Sequence, residues 1–254
     1  MRRPAILIVT LLCLRAPFDL GWQPMAAAAD VADLAHTIDH QIEQPLIDAG
    51  VAATSVTSDH QFVRRVTLDL AGRIPTAAEV DAFPESIDAD KRAKLTRQLI
   101  ESPDFAFHIR NEIDTLLLRT LEHNDSWREY LLEATRENRP WDRLFREIML
   151  PDQTDGSDPR PAAFLRKRIN DLDATTNDSS ILWFGVNVGC AKCHDHPLVY
   201  DWTQAHYYGM ASFFKRTYRT KKGMIGDRFD GELKYTTTSG DEHDADFMFL
   251  TGAI

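Results

Sequence analysis

Apolar residues recur along most of this chain at three- and four-residue intervals, the spacing that gathers them on one face of an α-helix. Val31, Leu34, Ile38, Ile42 and Leu46 form the first such stripe. Phe62, Val63, Val66 and Leu70 form the second, with Asp59 as its cap, Gly72 as its stop and Pro75 blocking continuation. Residues 50–58 read as the linker between them. Thr76 and Glu79 have the spacing of a capping box, in which each side chain accepts the other's backbone N–H, and this predicts a short helix. Further helices are predicted over 90–100, 103–117, 127–135 and 141–149, the last with Pro140 at its first turn. Residues 151–161 are polar and breaker-rich and read as a surface loop. Apolar residues resume at Phe164 and Leu165. A helix over 179–188 then delivers the chain to Gly189. Another starts at Asp201, with Gln204 at the capping-box position, and places Trp202, Ala205, His206, Gly209 and Phe213 on one face. From Thr217 the pattern changes to turns and short runs such as residues 233–237. The expected fold is mainly α, a multi-helix domain with a short irregular or β-leaning C-terminal tail.

The N-terminus departs from this pattern. Arg2 and Arg3 precede an apolar run over residues 5–14, about half of the roughly twenty residues a bilayer span requires. Ala26 to Ala29 then offer a small-residue cleavage site before Asp30. Basic start, apolar centre and small-residue exit are the order of a secretory signal peptide, assigned to residues 1–29. The mature chain is then expected to be periplasmic or secreted, with no transmembrane span. Loss of Arg2, Arg3, Arg15 and Asp19 moves the formal charge from −10 to −12. A chain this acidic repels nucleic acid and anionic lipid, which excludes both as partners.

Signal removal takes away Cys13 and leaves Cys190 and Cys193. A disulfide between residues three apart closes a tiny loop and stabilises little. Cys190-Ala191-Lys192-Cys193-His194 instead has the form of a c-type haem attachment signal: two thiols for the porphyrin vinyl groups, and a histidine for the iron. The same residues admit a zinc or iron site completed by His196 or His206, and a redox-active or structural dithiol. If haem is held, His206 and Met210 are candidates for the second axial position, since they stand four apart on one side of a helix. Hydrogen bonding for His206 and core packing for Met210 are the other readings of that pair. Asp195 and Asp201 are candidates to accept the second ring N–H of a ligating histidine. No Ser/His/Asp arrangement, phosphate loop or nucleotide fingerprint stands out. The carboxylates are too dispersed to single out an acid–base pair.

Three stretches carry a resemblance. Residues 184–197 (FGVNVGCAKCHDHP) with 207–214 (YYGMASFF), residues 62–76 (FVRRVTLDLAGRIPT) and residues 139–145 (RPWDRLF) resemble the motifs of a large planctomycete family, the domain-of-unknown-function family 1549. The resemblance runs from about Asp59 to the end. It implies an extracytoplasmic protein that works beside other periplasmic redox proteins or cytochrome c modules, with Cys190, Cys193 and His194 carrying a haem-type motif. Members of that family commonly have an acidic residue where this chain has His206, and continue into a second large domain. The chain therefore reads as a signal peptide (1–29), an N-terminal helix and linker (30–58) and a family-like helical domain (59–254) that is incomplete at its C-terminus. Its layout differs from that of a small cytochrome c, because more than half of the mature chain precedes the motif.

Overall fold

The computed structural model describes residues 31–120, 123–151, 158–221 and 223–250. The segment predicted as a signal peptide, residues 251–254 and most of the predicted 151–161 loop lie outside the described residues. Those residues form ten α-helices and two small antiparallel sheets of two strands each, the mainly α architecture with a β-leaning tail that the periodicity predicts. No described helix is long and apolar enough to cross a membrane. The chain divides into two compact units, one ending at Val56 and one beginning at Thr57.

In the first unit, α1 (Val31–Asp48) carries Leu34, Ile38 and Ile42 along one exposed stripe. In the second, α2 (Asp59–Ala71) is capped by Ser58, whose hydroxyl accepts the Gln61 N–H, and not by Asp59. The Asp59 carboxylate is engaged elsewhere: it pairs with Lys91 and Arg92, both at 2.6 Å, at the start of α4 (Lys91–Ile100). Gly72 ends α2 with φ 66°, and a Cβ there would lie 2.5 Å from the His108 ring, so both backbone conformation and close approach require glycine. The predicted capping box is present at the head of α3 (Ala77–Glu85). Glu79 also takes both guanidinium nitrogens of Arg73, whose Nε reaches Asp104 in the first turn of α5 (Pro103–Leu118). The Arg73 hydrogen bonds, helped by the Thr76 N–H, hold the Glu79 carboxyl down to about 2.

The main core joins α5, α6 (Asp125–Arg136), α7 (Trp141–Met149) and α8 (Ala163–Arg168). Pro140 stands just ahead of α7 as its cap position, outside the first turn. Trp127, Leu131, Leu117, Ile148 and Phe164 are fully buried there, each stabilising by about 1.5–3 kcal/mol relative to exposure. Asp114 and Arg168 both bring charge to this core, Asp114 accepting the Trp127 Nε1–H at 3.0 Å and pairing with Arg128 at 2.6 Å. Arg168 is 4% exposed, donates to the carbonyls of Leu117 (2.7 Å) and Phe164 (3.2 Å), and pairs with Asp178 at 2.7 Å. Burial lowers its pKa while Asp178 opposes the shift.

Asp178 belongs to α9 (Leu172–Phe184), which starts seven residues before the helix predicted at 179. The prediction misses this first half because its buried face is polar: Thr175, Thr176, Ser179 and Ser180. Such residues tolerate a core here because the threonine hydroxyls donate back to carbonyls, Thr175 to Arg168 and Asp171, Thr176 to Leu172. Gly185, at φ 70°, ends α9 short of the predicted Val188. The last helix, α10 (Gln204–Lys215), begins with Thr203 as cap and His206 three residues on, in place of the predicted Asp201 and Gln204. Beyond it, β1 (Thr217–Arg219) pairs with β2 (Ile225–Asp227), and β3 (Lys234–Thr236) with β4 (Glu242–Asp244).

Two stability predictions follow from these ion pairs. Arg168→Ala leaves the buried carbonyls of Leu117 and Phe164 without their donor and Asp178 with only the longer Arg119 contact, and should cost about 3–5 kcal/mol in urea unfolding. Arg143→Ala removes the exposed partner of Glu147 and should cost under about 1 kcal/mol; equal losses would contradict the assignment. Because the folded Glu79 value of about 2 lies below its ordinary 4.5, its contribution is complete above 4.5 and is lost as pH falls through 2. Glu79→Gln should therefore flatten the acid limb of the stability–pH curve in that window, and an unchanged limb would contradict the pairing.

Candidate functional site

The segment between α9 and α10 folds around two buried side chains. After Gly185, Val188 and Ala191 are both completely buried against Tyr207 and Ala211 of α10. A short 3-10 turn spans Gly189–Lys192, started by the Asn187 side chain accepting the Gly189 N–H at 3.0 Å. With Val188 and Ala191 turned inward, Cys190 and Cys193 face out, and both are exposed free thiols. Cys190 lies within the turn, and Cys193, three positions on, is the residue that ends it.

Polar contacts hold this turn to both helices. Lys192 pairs with Asp173 in the first turn of α9, and the buried Tyr207 donates its hydroxyl to the same carboxylate at 2.5 Å. The Lys192 hydrogen bond, followed by that of Tyr207, lowers the Asp173 pKa. Burial, with Asp173 beside it, raises that of Tyr207. Gln204 donates through Nε2 to the Lys192 carbonyl (3.2 Å), while its backbone N–H goes to the Asp195 carboxylate (3.0 Å). The chain closes where the His196 N–H meets the Trp202 carbonyl at 2.8 Å, with the two rings edge to face.

The three histidines differ in what their rings do. His194 Nδ1 lies 2.7 Å from the Asp195 carbonyl oxygen. A carbonyl can only accept, so Nδ1 carries the proton and neutral His194 keeps an open lone pair on Nε2. The partner is thus the Asp195 backbone, whereas the sequence suggests carboxylates; the Asp195 carboxylate serves the start of α10. His196 Nδ1 accepts two backbone N–H groups, from Leu198 (3.2 Å) and Val199 (3.0 Å). His206 Nδ1 accepts the Thr203 N–H at 3.2 Å, completing the cap of α10. In both, the neutral ring must hold its proton on Nε2. Met210 is buried and lines an apolar cavity of about 480 Å³ with Phe145, Phe184, Phe213 and Phe249; none of Cys190, Cys193, His194, His196 or His206 lines it. Among the described residues, no three His, Cys, Asp or Glu side chains are grouped so as to hold a metal ion.

Sequence reasoning overlooks two features of the site. One is Asp173, which lies in the polar half of α9 that the periodicity does not reveal. The other is an aromatic stack in which Tyr208 lies flat on Tyr235, with centroids 4.4 Å apart and planes 9° apart, and Tyr235 stacks on His243. Burial raises the Tyr208 pKa; Lys192 opposes this, and Cys193 is near enough to add to it. Tyr208 packs against the Val188 and Ala191 cluster that underlies the cysteine turn. The paired Tyr207-Tyr208 was a visible signal, but Tyr235 joins only through the tail hairpin.

A family model described as protein of unknown function (DUF1549), PSCyt2, matches residues 37–219. That span includes Cys190, Cys193, His194, His196, His206 and Met210. No curated protein and no solved structure matches the chain.

The ring assignments can be read directly. In a 15N-detected histidine spectrum above the imidazole titration range, His194 should appear as the Nδ1–H tautomer, and His196 and His206 as Nε2–H. A His194 proton on Nε2 would contradict the geometry.

Proposed function

For this chain, which belongs to the DUF1549 family, we propose covalent haem attachment at Cys190 and Cys193, with His194 as the iron ligand, in an exported redox protein. The observation that carries this reading is the coincidence of two exposed thiols three residues apart with an adjacent imidazole whose Nε2 lone pair is open. The residues fit the group. Each thiol would add across a vinyl group to form a thioether, and the Asp195 carbonyl fixes the His194 tautomer and would raise its basicity as a ligand.

Donor count supports haem over zinc. A structural zinc takes four protein ligands, or three and a water at a catalytic site. The described residues gather no group of three. The porphyrin brings four nitrogen donors of its own and asks one imidazole of the protein. When bound, haem supplies a one-electron couple. The protein's part is to hold the attachment turn through Asp173, Lys192 and Tyr207, and to flank it with the Tyr208–Tyr235 stack. His196 and His206 hold their protons on Nε2 in the neutral form and Met210 lines the apolar cavity, so in this reading His194 is the side chain that would ligate the iron. Other periplasmic redox proteins, cytochrome c modules among them, are the partners this reading requires.

The test is expression with the native leader in a host that matures c-type cytochromes, followed by a haem-stained denaturing gel and an absorption spectrum. A stained band is expected, lost in Cys190→Ala with Cys193→Ala, together with a spectrum that His206→Ala and Met210→Ala leave unchanged. A colourless protein retaining one equivalent of zinc would overturn the proposal.

A further inference from the structure

A separate cleft of about 290 Å³ opens where the end of α8, the first residue of α9, the last turn of α10 and the β1–β2 hairpin meet. Its lining includes Lys215, Arg219 and Arg228 together with Asn170, Thr217 and Tyr218, and no carboxylate. The chain as a whole carries 39 acidic and 29 basic residues. Other described cations, Arg73, Arg139, Arg160 and Arg168 among them, are paired with carboxylates. Among the described residues, none of Lys215, Arg219 and Arg228 makes an ion pair.

The neighbouring acids are committed elsewhere. Asp171 caps α9 by accepting the Ala174 N–H at 3.0 Å. Asp227 accepts the backbone N–H of Arg228 and lines the apolar cavity instead. Arg228 stacks over the Tyr218 ring, its guanidinium carbon 4.7 Å from the centroid, which orients the group without using its N–H donors. Lys215 sits at the end of α10 and offsets the carbonyl charge there, which leaves the two arginines in excess. Leu172, the first residue of α9, also borders the cleft.

We propose that this cleft binds a tetrahedral oxyanion carried on a small organic molecule, a phosphate or sulfate ester. A carboxylate presents two coplanar oxygens and is satisfied by one arginine fork. Two arginines, Arg219 on β1 and Arg228 just past β2, with Lys215 beside them on the same lining, suit a group with three terminal oxygens. The cavity is larger than such a group alone, and the Asn170 and Thr217 side chains offer hydrogen bonds to the organic part. The site is independent of the cysteine turn.

The experiment is isothermal titration of the full chain with glucose 6-phosphate, glucose 6-sulfate and acetate at ionic strength held constant with chloride. Saturable binding of at least one ester is expected, with acetate silent, and the tighter ester identifies the natural oxyanion. Arg219→Glu and Arg228→Glu should each weaken it roughly tenfold or more, equivalent to about 1.4 kcal/mol. Arg219→Gln and Arg228→Gln, with thermal melting unchanged, separate loss of the site from loss of the fold. The proposal is overturned if neither ester gives a saturable heat, if acetate binds as well as the esters, or if both arginine substitutions leave affinity unchanged.

Discussion

Asp173 binds two partners from different parts of the chain, Lys192 of the cysteine turn and Tyr207 of α10, and the candidate site depends on that one carboxylate. Together with the burial of Val188 and Ala191 it decides which way each residue of the turn faces. An alanine between the cysteines can be fully buried because it is small enough to pack against Tyr207 and Ala211. Its burial forces the thiols outward. The next residues follow from this: Asp195 reaches the start of α10, and its carbonyl falls to the His194 ring.

The same economy of polar groups recurs through the second unit. Carboxylates that sequence reasoning takes as caps become ties between helices, as Asp59 does between α2 and α4. Arg168 takes a charge into the main core, where carbonyls of α5 and α8 and the carboxylate of Asp178 satisfy it. Asp178 and Asp173 lie on the same helix. α9 thus connects the apolar core to the cysteine turn through its acidic residues, while its threonines and serines fill the space between.

Much of this was legible in the sequence wherever apolar spacing and cap chemistry agree. The stripe of α2, its Gly72 stop and the Thr76–Glu79 box needed no tertiary information. The start of α9 was hidden because its buried face is made of hydroxyl residues, whose hydrogen bonds to the preceding turn do not register as periodic hydrophobicity. The start of α10 was misplaced because Asp201 with Gln204 and Thr203 with His206 have the same spacing, and only the geometry chooses between them. At the site, the cysteines and His194 follow from the motif alone. The ring roles of His196 and His206 depend on backbone N–H groups whose positions no residue spacing reveals, and the Tyr208–Tyr235 stack depends on where the tail returns. The family motifs near residues 62–76, 139–145 and 184–197 lie within the span matched to DUF1549.

The central claim is that this turn is built to carry haem through two thioethers. Intact-mass and peptide mass spectrometry of the protein, matured in a host with c-type assembly machinery, addresses it most directly. The account predicts one haem added to the chain and located on the peptide containing Cys190 and Cys193, with no addition in the double alanine variant. An unmodified mass, with both thiols recovered free or joined as a disulfide, would contradict it.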